Sequence, residues 1–215
     1  MSSEEIVENV SWNNPMLEDY FRKIGEHSQA YAWMYTHAEA IYARRRTWID
    51  IPSNILASVT GFLSVGSATM FEGETRMSSI GLGVASLLVS VMNMTKSYFS
   101  WSQKAEGCKI SAYHYGKLHR LIVLQMGLPI NERIRCGDFL KQVRDSFEDL
   151  SKTSYPLPPE SIEAFRKRFN DPKYNSFHKP TIVNGLEKIE CYKEVPRVEL
   201  TIRSPLPSPE EEEKA

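Results

Sequence analysis

The spacing of apolar positions changes along this chain, and each change marks an element. From Asn14-Pro15, a helix cap followed by Pro in the first helical position, apolar residues recur at helical spacing. Leu17, Ile24, Tyr31 and Ala38 form one row. Tyr20, His27, Met34 and Ile41 form a second, and Phe21, Tyr35 and Tyr42 a third. Together they make one broad stripe, which predicts an amphipathic helix of more than about six turns. The periodicity then gives way to two uncharged runs, residues 51–71 and 77–95. Each is close to the ~20 residues that a helix needs to cross ~30 Å of hydrocarbon. Only Glu72-Gly73-Glu74-Thr75-Arg76 separates them. So short a link predicts an antiparallel hairpin with its turn at Gly73.

The far side of the hairpin mirrors the near side. Trp101, Cys108, Tyr115 and Ile122 fall seven apart, with Ala105, Ala112, His119 and Met126 beside them. This heptad seam predicts a helix running on from the second run to about Gln125, ended by Gly127-Leu128-Pro129. The two arms would pack as a coiled-coil stalk. A further helix is predicted over 138–153, with Phe139, Leu140, Val143, Phe147 and Leu150 on one face. After the Pro-rich break at 154–159, a short helix over 160–170 carries Ile162, Phe165 and Phe169. Beyond Asp171 the pattern weakens. Asn184-Gly185 is a turn signal, and Val198, Leu200 and Ile202 alternate as a strand would. Residues 204–213 are Pro-rich and acidic, as disordered tails are. The expected fold is mainly α: a flexible stretch 1–13, a helical two-transmembrane domain 14–170 with one or two docked helices, and an extended tail 171–215. That tail is the candidate docking segment for a protein partner.

Small residues recur at spacing four within the runs: Ser53, Ala57 and Gly61; Ser64 and Ala68; Gly81 and Ala85; Ser86 and Ser90. In lipid such faces let helix backbones approach and pack. Asp50 stands at the mouth of the first run. With Pro52 it resembles the cap of a new helix. Alternatively it forms a charged ring at the mouth of a pore walled by Ser53, Thr60 and Ser64. One hairpin cannot enclose a channel, so the pore reading requires a homo-oligomer. Arg44, Arg45, Arg46 and Trp48 precede the first run, and Lys96, Lys104 and Lys109 follow the second. Positive flanks stay in the cytoplasm, so both termini are expected there, with the basic residues and Trp48 anchored at the bilayer surface. The arginines also suit a carboxylate on a packed neighbour. The sequons at Asn9 and Asn93 would then escape lumenal glycosylation.

Composition narrows the function. The net charge is -1, from 26 basic and 27 acidic residues, which gives no support for nucleic-acid binding. The hydrophobic fraction, 41%, is that of a soluble protein, and only the middle of the chain departs from it. A buried hairpin inside a soluble helical adaptor is therefore an alternative. Cys108, Cys136 and Cys191 match no zinc or redox spacing. The acidic start, Met1-Ser2-Ser3-Glu4-Glu5, leads into no apolar segment of a secretory signal. The five His lack carboxylate or thiol partners at helical spacing and read as structural. Gly81-Leu82-Gly83 has no strand before it and is no phosphate loop. Nothing points to an enzyme, a cofactor or a metal.

The stretch Ala43-Arg44-Arg45-Arg46-Thr47-Trp48, the small-residue hairpin and the long helix after it form a recognisable layout. So do Phe147-Glu148-Asp149-Leu150 and the break before Pro158-Pro159-Glu160-Ser161-Ile162. Over residues 15–170 this layout resembles the SLATT proteins, two-transmembrane effector domains associated with SMODS nucleotidyltransferases and SLOG ligand-sensing domains. The resemblance implies a membrane-perturbing or pore-forming effector without a catalytic motif. The other expectation for such a chain is a structural membrane-anchored scaffold, as in the internal membrane of a large virus particle.

Overall fold

The computed structural model describes the backbone of residues 11–70, 75–186 and 188, and their side chains outside 66–79. Every element in this part is helical. In chain order they are α1 (Pro15–Met70), α2 (Thr75–Phe99), α3 (Trp101–Gly127), a 3-10 turn (Ile130–Glu132), α4 (Cys136–Thr153), α5 (Pro159–Arg168), a second 3-10 turn (Pro172–Tyr174) and α6 (Thr181–Asn184). The class is all-α.

Helix α1 starts where Asn14-Pro15 predicts. The Asn14 Oδ1 accepts the Met16 N–H at 3.0 Å, and the Asn14 carbonyl accepts the Leu17 N–H at 3.1 Å. It then runs for 56 residues, straight through the arginines and Pro52. Asp50 is therefore not a cap. The amphipathic stripe before it and the apolar run after it share one helical phase, so no new start is needed. Pro52 lacks an N–H, and the carbonyl of Trp48 loses its partner one turn earlier.

The first half of α1 lies antiparallel to α3. Trp12 Nε1 donates to the Ile134 carbonyl at 2.8 Å, His119 Nδ1 to the Gly25 carbonyl at 2.9 Å, and the Tyr35 and Tyr115 rings stack at 5.6 Å. As numbers climb on α1, those of its partners fall. On α3 the buried row is Ala105, Cys108, Ser111, Tyr115, Leu118, Ile122 and Gln125. From Ser111 on, its steps alternate between four and three, as those of a coiled-coil seam do. Trp101, Ala112, His119 and Met126 flank that row half-buried.

Three clusters grow from this seam. Trp12, Phe21, Leu118, Ile122, Phe139 and Val143 fill the end nearest the start of α1. Tyr35, Ala38, Cys108 and Tyr115 fill the middle. Ala30, Met34, Phe165 and Val183 hold α5 and α6 against the outer side of α1. The Tyr35 hydroxyl donates to the Tyr155 carbonyl at 2.8 Å, and the Ser161 hydroxyl donates to the Met34 carbonyl. These bonds pin the Pro-rich break of 154–159 to α1. The chain after Asp171 also stays on the body as far as Gly185. Phe177 packs in the same cluster as Val183, and the Glu26 carboxylate accepts both the His178 backbone N–H (2.8 Å) and its Nδ1 (2.6 Å). The predicted turn at Asn184-Gly185 ends α6, with Gly185 at φ 83°. The expected turn at Gly73, the strand at 198–202, the acidic tail and the first ten residues lie outside the described residues.

One break departs from expectation. The helix after the second run is not continuous, because Ser100 takes a left-handed conformation at φ 48° between α2 and α3. Its N–H still reaches the Lys96 carbonyl at 3.0 Å, and its hydroxyl donates to the Ser97 carbonyl at 2.9 Å. A short polar side chain that bonds locally tolerates this region better than most.

Gly107, on α3, lies against one edge of the Tyr155 ring, and an added Cβ would collide with that ring. Gly107→Ala should cost about 1–3 kcal/mol by displacing the ring, despite the gain in helix propensity. Gly116→Ala, whose Cβ meets only the tip of Arg120, should be neutral or stabilising. Denaturant unfolding of the two purified variants beside the parent checks the contrast.

Candidate functional site

The residues singled out from sequence gather where α1 passes the end of α2. Asp50 lies in the interior of α1, one turn after Arg46. Its carboxylate takes Lys96 Nζ at 3.0 Å on one oxygen and Arg46 Nε at 3.1 Å on the other. Arg46 Nη1 also reaches the Ser102 hydroxyl at 3.4 Å. One turn further on, Ser53 is buried and its hydroxyl donates to the Asn93 Oδ1 at 3.3 Å. Residues 50 with 96 and 53 with 93 are partners, so α1 and α2 run antiparallel where they touch. A turn centred on Gly73 implies these same pairings. That arithmetic is the signal from which the Asp50–Lys96 and Ser53–Asn93 partnerships were legible, and neither was drawn.

The Lys96 hydrogen bond, and after it those from Arg46, hold the Asp50 carboxyl below the 3.8 of a free aspartate. Arg45 pairs with Glu160 at the start of α5, at 2.7 Å, and that contact lowers the Glu160 carboxyl as well. Two of the three arginines expected at the bilayer surface thus have protein carboxylates as partners. Trp48 is exposed, as an interfacial anchor is.

The small-residue faces are only partly used. The α1 row facing α2 is Ile49, Ser53, Leu56 and Thr60, and its counterpart on α2 is Leu82, Ala85, Val89, Met92 and Lys96. Ala57, Gly61 and Ser64 are exposed, as is Gly81, and nothing lies within 4 Å of a Cβ added to Gly61 or Gly81. The reason is geometric. Each step of four residues turns a helix face by about 40°, so Ser53, Ala57 and Gly61 drift out of a seam that steps by three and four. The side chain of Ala68 lies outside the described residues.

Much of the remaining surface of these segments is bulky and apolar. On α1 it comprises Ile51, Ile55, Val59, Phe62, Leu63 and Val65, with Phe62 70% and Val65 84% exposed. On α2 it comprises Ile80, Val84, Leu87, Leu88, Val91, Met94 and Tyr98, the last 82% exposed. Among the described residues one helical stretch, Ile80–Gly127, is long and apolar enough by composition to cross a membrane, and its apolar window is unburied. The first run, expected as a second span, does not meet that test over its described residues.

No group of three His, Cys, Asp or Glu side chains is arranged to hold a metal among the described residues. Two open grooves flank α1. One, of about 560 Å³, is lined by Glu39, Arg46, Glu106, Lys109 and His114 among others. The other, of about 600 Å³, is lined by Glu18, Arg22, Glu26, His119 and Phe177 among others. Each interleaves acids with bases, and neither aligns a nucleophile with a base. The Cys108 thiol is fully buried beneath the seam, and burial pushes it up to about 11. It is thereby kept in its unreactive form.

No protein-family model, no curated protein and no solved structure matches this chain. None of the three comparisons supports the resemblance to the SLATT proteins.

Because the folded Asp50 carboxyl is depressed, its contribution is fully present above 3.8 and is lost as the pH falls through the folded value. The group is partly solvated, so the tie is worth about 1 kcal/mol or less. Carboxyl NMR of the Asp50 resonance should give a midpoint below 3.8. In Lys96→Met that midpoint should move back towards the free value by more than in Arg46→Met.

Proposed function

We propose that this protein is an integral membrane effector. A hairpin of α1 and α2 sits in the bilayer, and the α1–α3 stalk with its docked helices stands in the cytoplasm. Copies associate there, and the assembly perturbs the membrane, as a pore would. The reading rests on the sleeve of exposed bulky side chains from Ile51 to Val65 and from Ile80 to Tyr98. Apolar surface of this extent on two adjacent helices marks a contact with lipid or another apolar partner. No described element of the chain covers it, which weighs against the hairpin as the hidden core of a soluble adaptor. The charge distribution agrees. Asp50 and Lys96 end the uncharged stretches at one level, with Arg44, Arg45 and Arg46 immediately beyond it. Charges at that level meet headgroups and water rather than hydrocarbon. Positive residues on both flanks support cytoplasmic termini. The likeness to SLATT proteins adds the effector role. A scaffold that uses the hairpin only as an anchor is the second reading, and leakage separates the two.

The full chain should remain in the membrane pellet after alkaline carbonate extraction. Reconstituted in vesicles, it should release a trapped ion-sensitive dye, and Asp50→Asn should change that release by more than twofold. Retention without leakage would favour the scaffold. Release of a well-behaved soluble species would end the membrane reading.

A further inference from the structure

The membrane hairpin has two unlike sides. On α1 the exposed small and polar residues Asn54, Ala57, Gly61 and Ser64 lie about a quarter turn from the row that touches α2, on the side of increasing residue angle. On α2 the exposed residues Gly83, Ser86, Ser90, Asn93 and Ser97 lie about a quarter turn from the row that touches α1, in the same sense. Two antiparallel helices with offsets of the same sense present these faces on one side of the pair. The Ser53–Asn93 hydrogen bond joins the inner edges of the two faces and fixes that arrangement in space. Ile51 and Val65 on α1 and Leu87 and Met94 on α2 border this side at its outer edge, and the other bulky exposed side chains named above point elsewhere.

Given the membrane reading, on which this inference rests, the bulky sides face lipid and the polar side cannot. The Asn54 amide has no side-chain partner among the described residues, and hydrocarbon offers it none. We propose that this face is the surface through which a second copy of the chain packs against the first, polar face to polar face. Self-pairing follows from the chemistry of the side chains. Asparagine and serine are donors and acceptors at once, so an identical face satisfies them without any other partner. The absence of bulk lets the backbones close in. Nothing lies within 4 Å of a Cβ added to Gly61 or Gly83, so the space above them is free within one copy. Without a hydrophobic drive between helices in lipid, close packing and interhelical hydrogen bonds are what hold copies together.

The same open space makes the test selective. A Cβ at residue 61 meets nothing within 4 Å among the described residues, so the fold of one copy should persist in Gly61→Leu, while the second copy is pushed away. In detergent, the wild-type full chain should have the mass of a dimer or larger. Gly61→Leu should weaken that assembly by about tenfold or more, with an unchanged circular dichroism spectrum and full retention in the carbonate pellet. Val59→Leu, on the lipid side, should leave the assembly as it is. In membranes, Asn54→Cys and Ser90→Cys should form disulfide-linked pairs above the wild-type background, and Ile55→Cys and Val84→Cys should not. A monomeric wild type, an unaltered Gly61→Leu assembly, or equal linkage from both sides would overturn the pairing. So would an Asn54→Cys that fails to link yet is labelled freely by a membrane-impermeant maleimide, since the face would then line water. Loss of the wild-type protein from the carbonate pellet would instead remove the membrane reading beneath it.

Discussion

A helix that runs for 56 residues, with one backbone hydrogen bond missing at Pro52, is about 84 Å long, and the other long helices are positioned by where they pack along it or on its partner α3. The first half of α1 offers a broad stripe that takes α3 on one side and α5 with α6 on another. The second half offers a narrow row of Ile49, Ser53, Leu56 and Thr60 that takes α2 alone. The change from a broad to a narrow contact happens within two turns of Arg44, without any break in the backbone. Aromatic residues supply most of the broad contact. Trp12, Phe21 and Phe139 form one group, and Tyr31, Tyr35, Tyr115 and Phe147 another. Rings of that size bury much apolar area per residue and constrain how the helices approach.

What could be read from sequence followed the reach of periodicity. The start of α1, the end of α3 at Gly127 and the faces of α4 and α5 were all legible, because helical spacing and Pro or Gly punctuation act within a few residues. Phe139 and Val143 on α4 and Phe165 on α5 are buried as their spacing implied. Contacts between distant segments were not legible in the same way. Glu160 meets Arg45 across 115 positions of chain, and no local pattern announces it. The strap from Asp171 to Gly185 lacks an apolar period of its own. It is held instead by single anchors, Phe177, Val183 and the His178–Glu26 pair. Ser100 was missed because serine, though it prefers caps and turns, also occurs inside helices, so one serine in an unbroken helical pattern does not mark a left-handed residue. The small-residue stripes were expected to be packing faces of the hairpin, yet Ala57, Gly61, Ser64 and Gly81 stay exposed, since a spacing of four drifts off a seam that alternates three and four.

The charged groups at the junction answer a problem of their own. Asp50 sits where the packed body of the molecule ends and the apolar sleeve begins, and it is bracketed by Lys96 from α2 and Arg46 from α1. An uncompensated carboxylate at the edge of so much apolar surface would be poorly solvated. With two cationic partners it stays ionised and also fixes the register of α1 against α2. Ser53 and Asn93 repeat that register one turn further in, with neutral groups that need no counter-charge. Along the pair, ion pair gives way to neutral hydrogen bond and then to apolar contact.

The two antiparallel members of this molecule differ in one mechanical respect. Helix α1 passes the level of Asp50 unbroken, whereas α2 and α3 meet at the left-handed Ser100. Torque applied to the aromatic body travels along α1 from turn to turn through its backbone hydrogen bonds, with only the one to the Trp48 carbonyl missing at Pro52. On the return path the same torque is absorbed in the dihedral angles of a single residue. One member is a shaft and the other a universal joint. The Asp50–Lys96 ion pair and the Ser53–Asn93 hydrogen bond then carry that rotation across from α1 to α2.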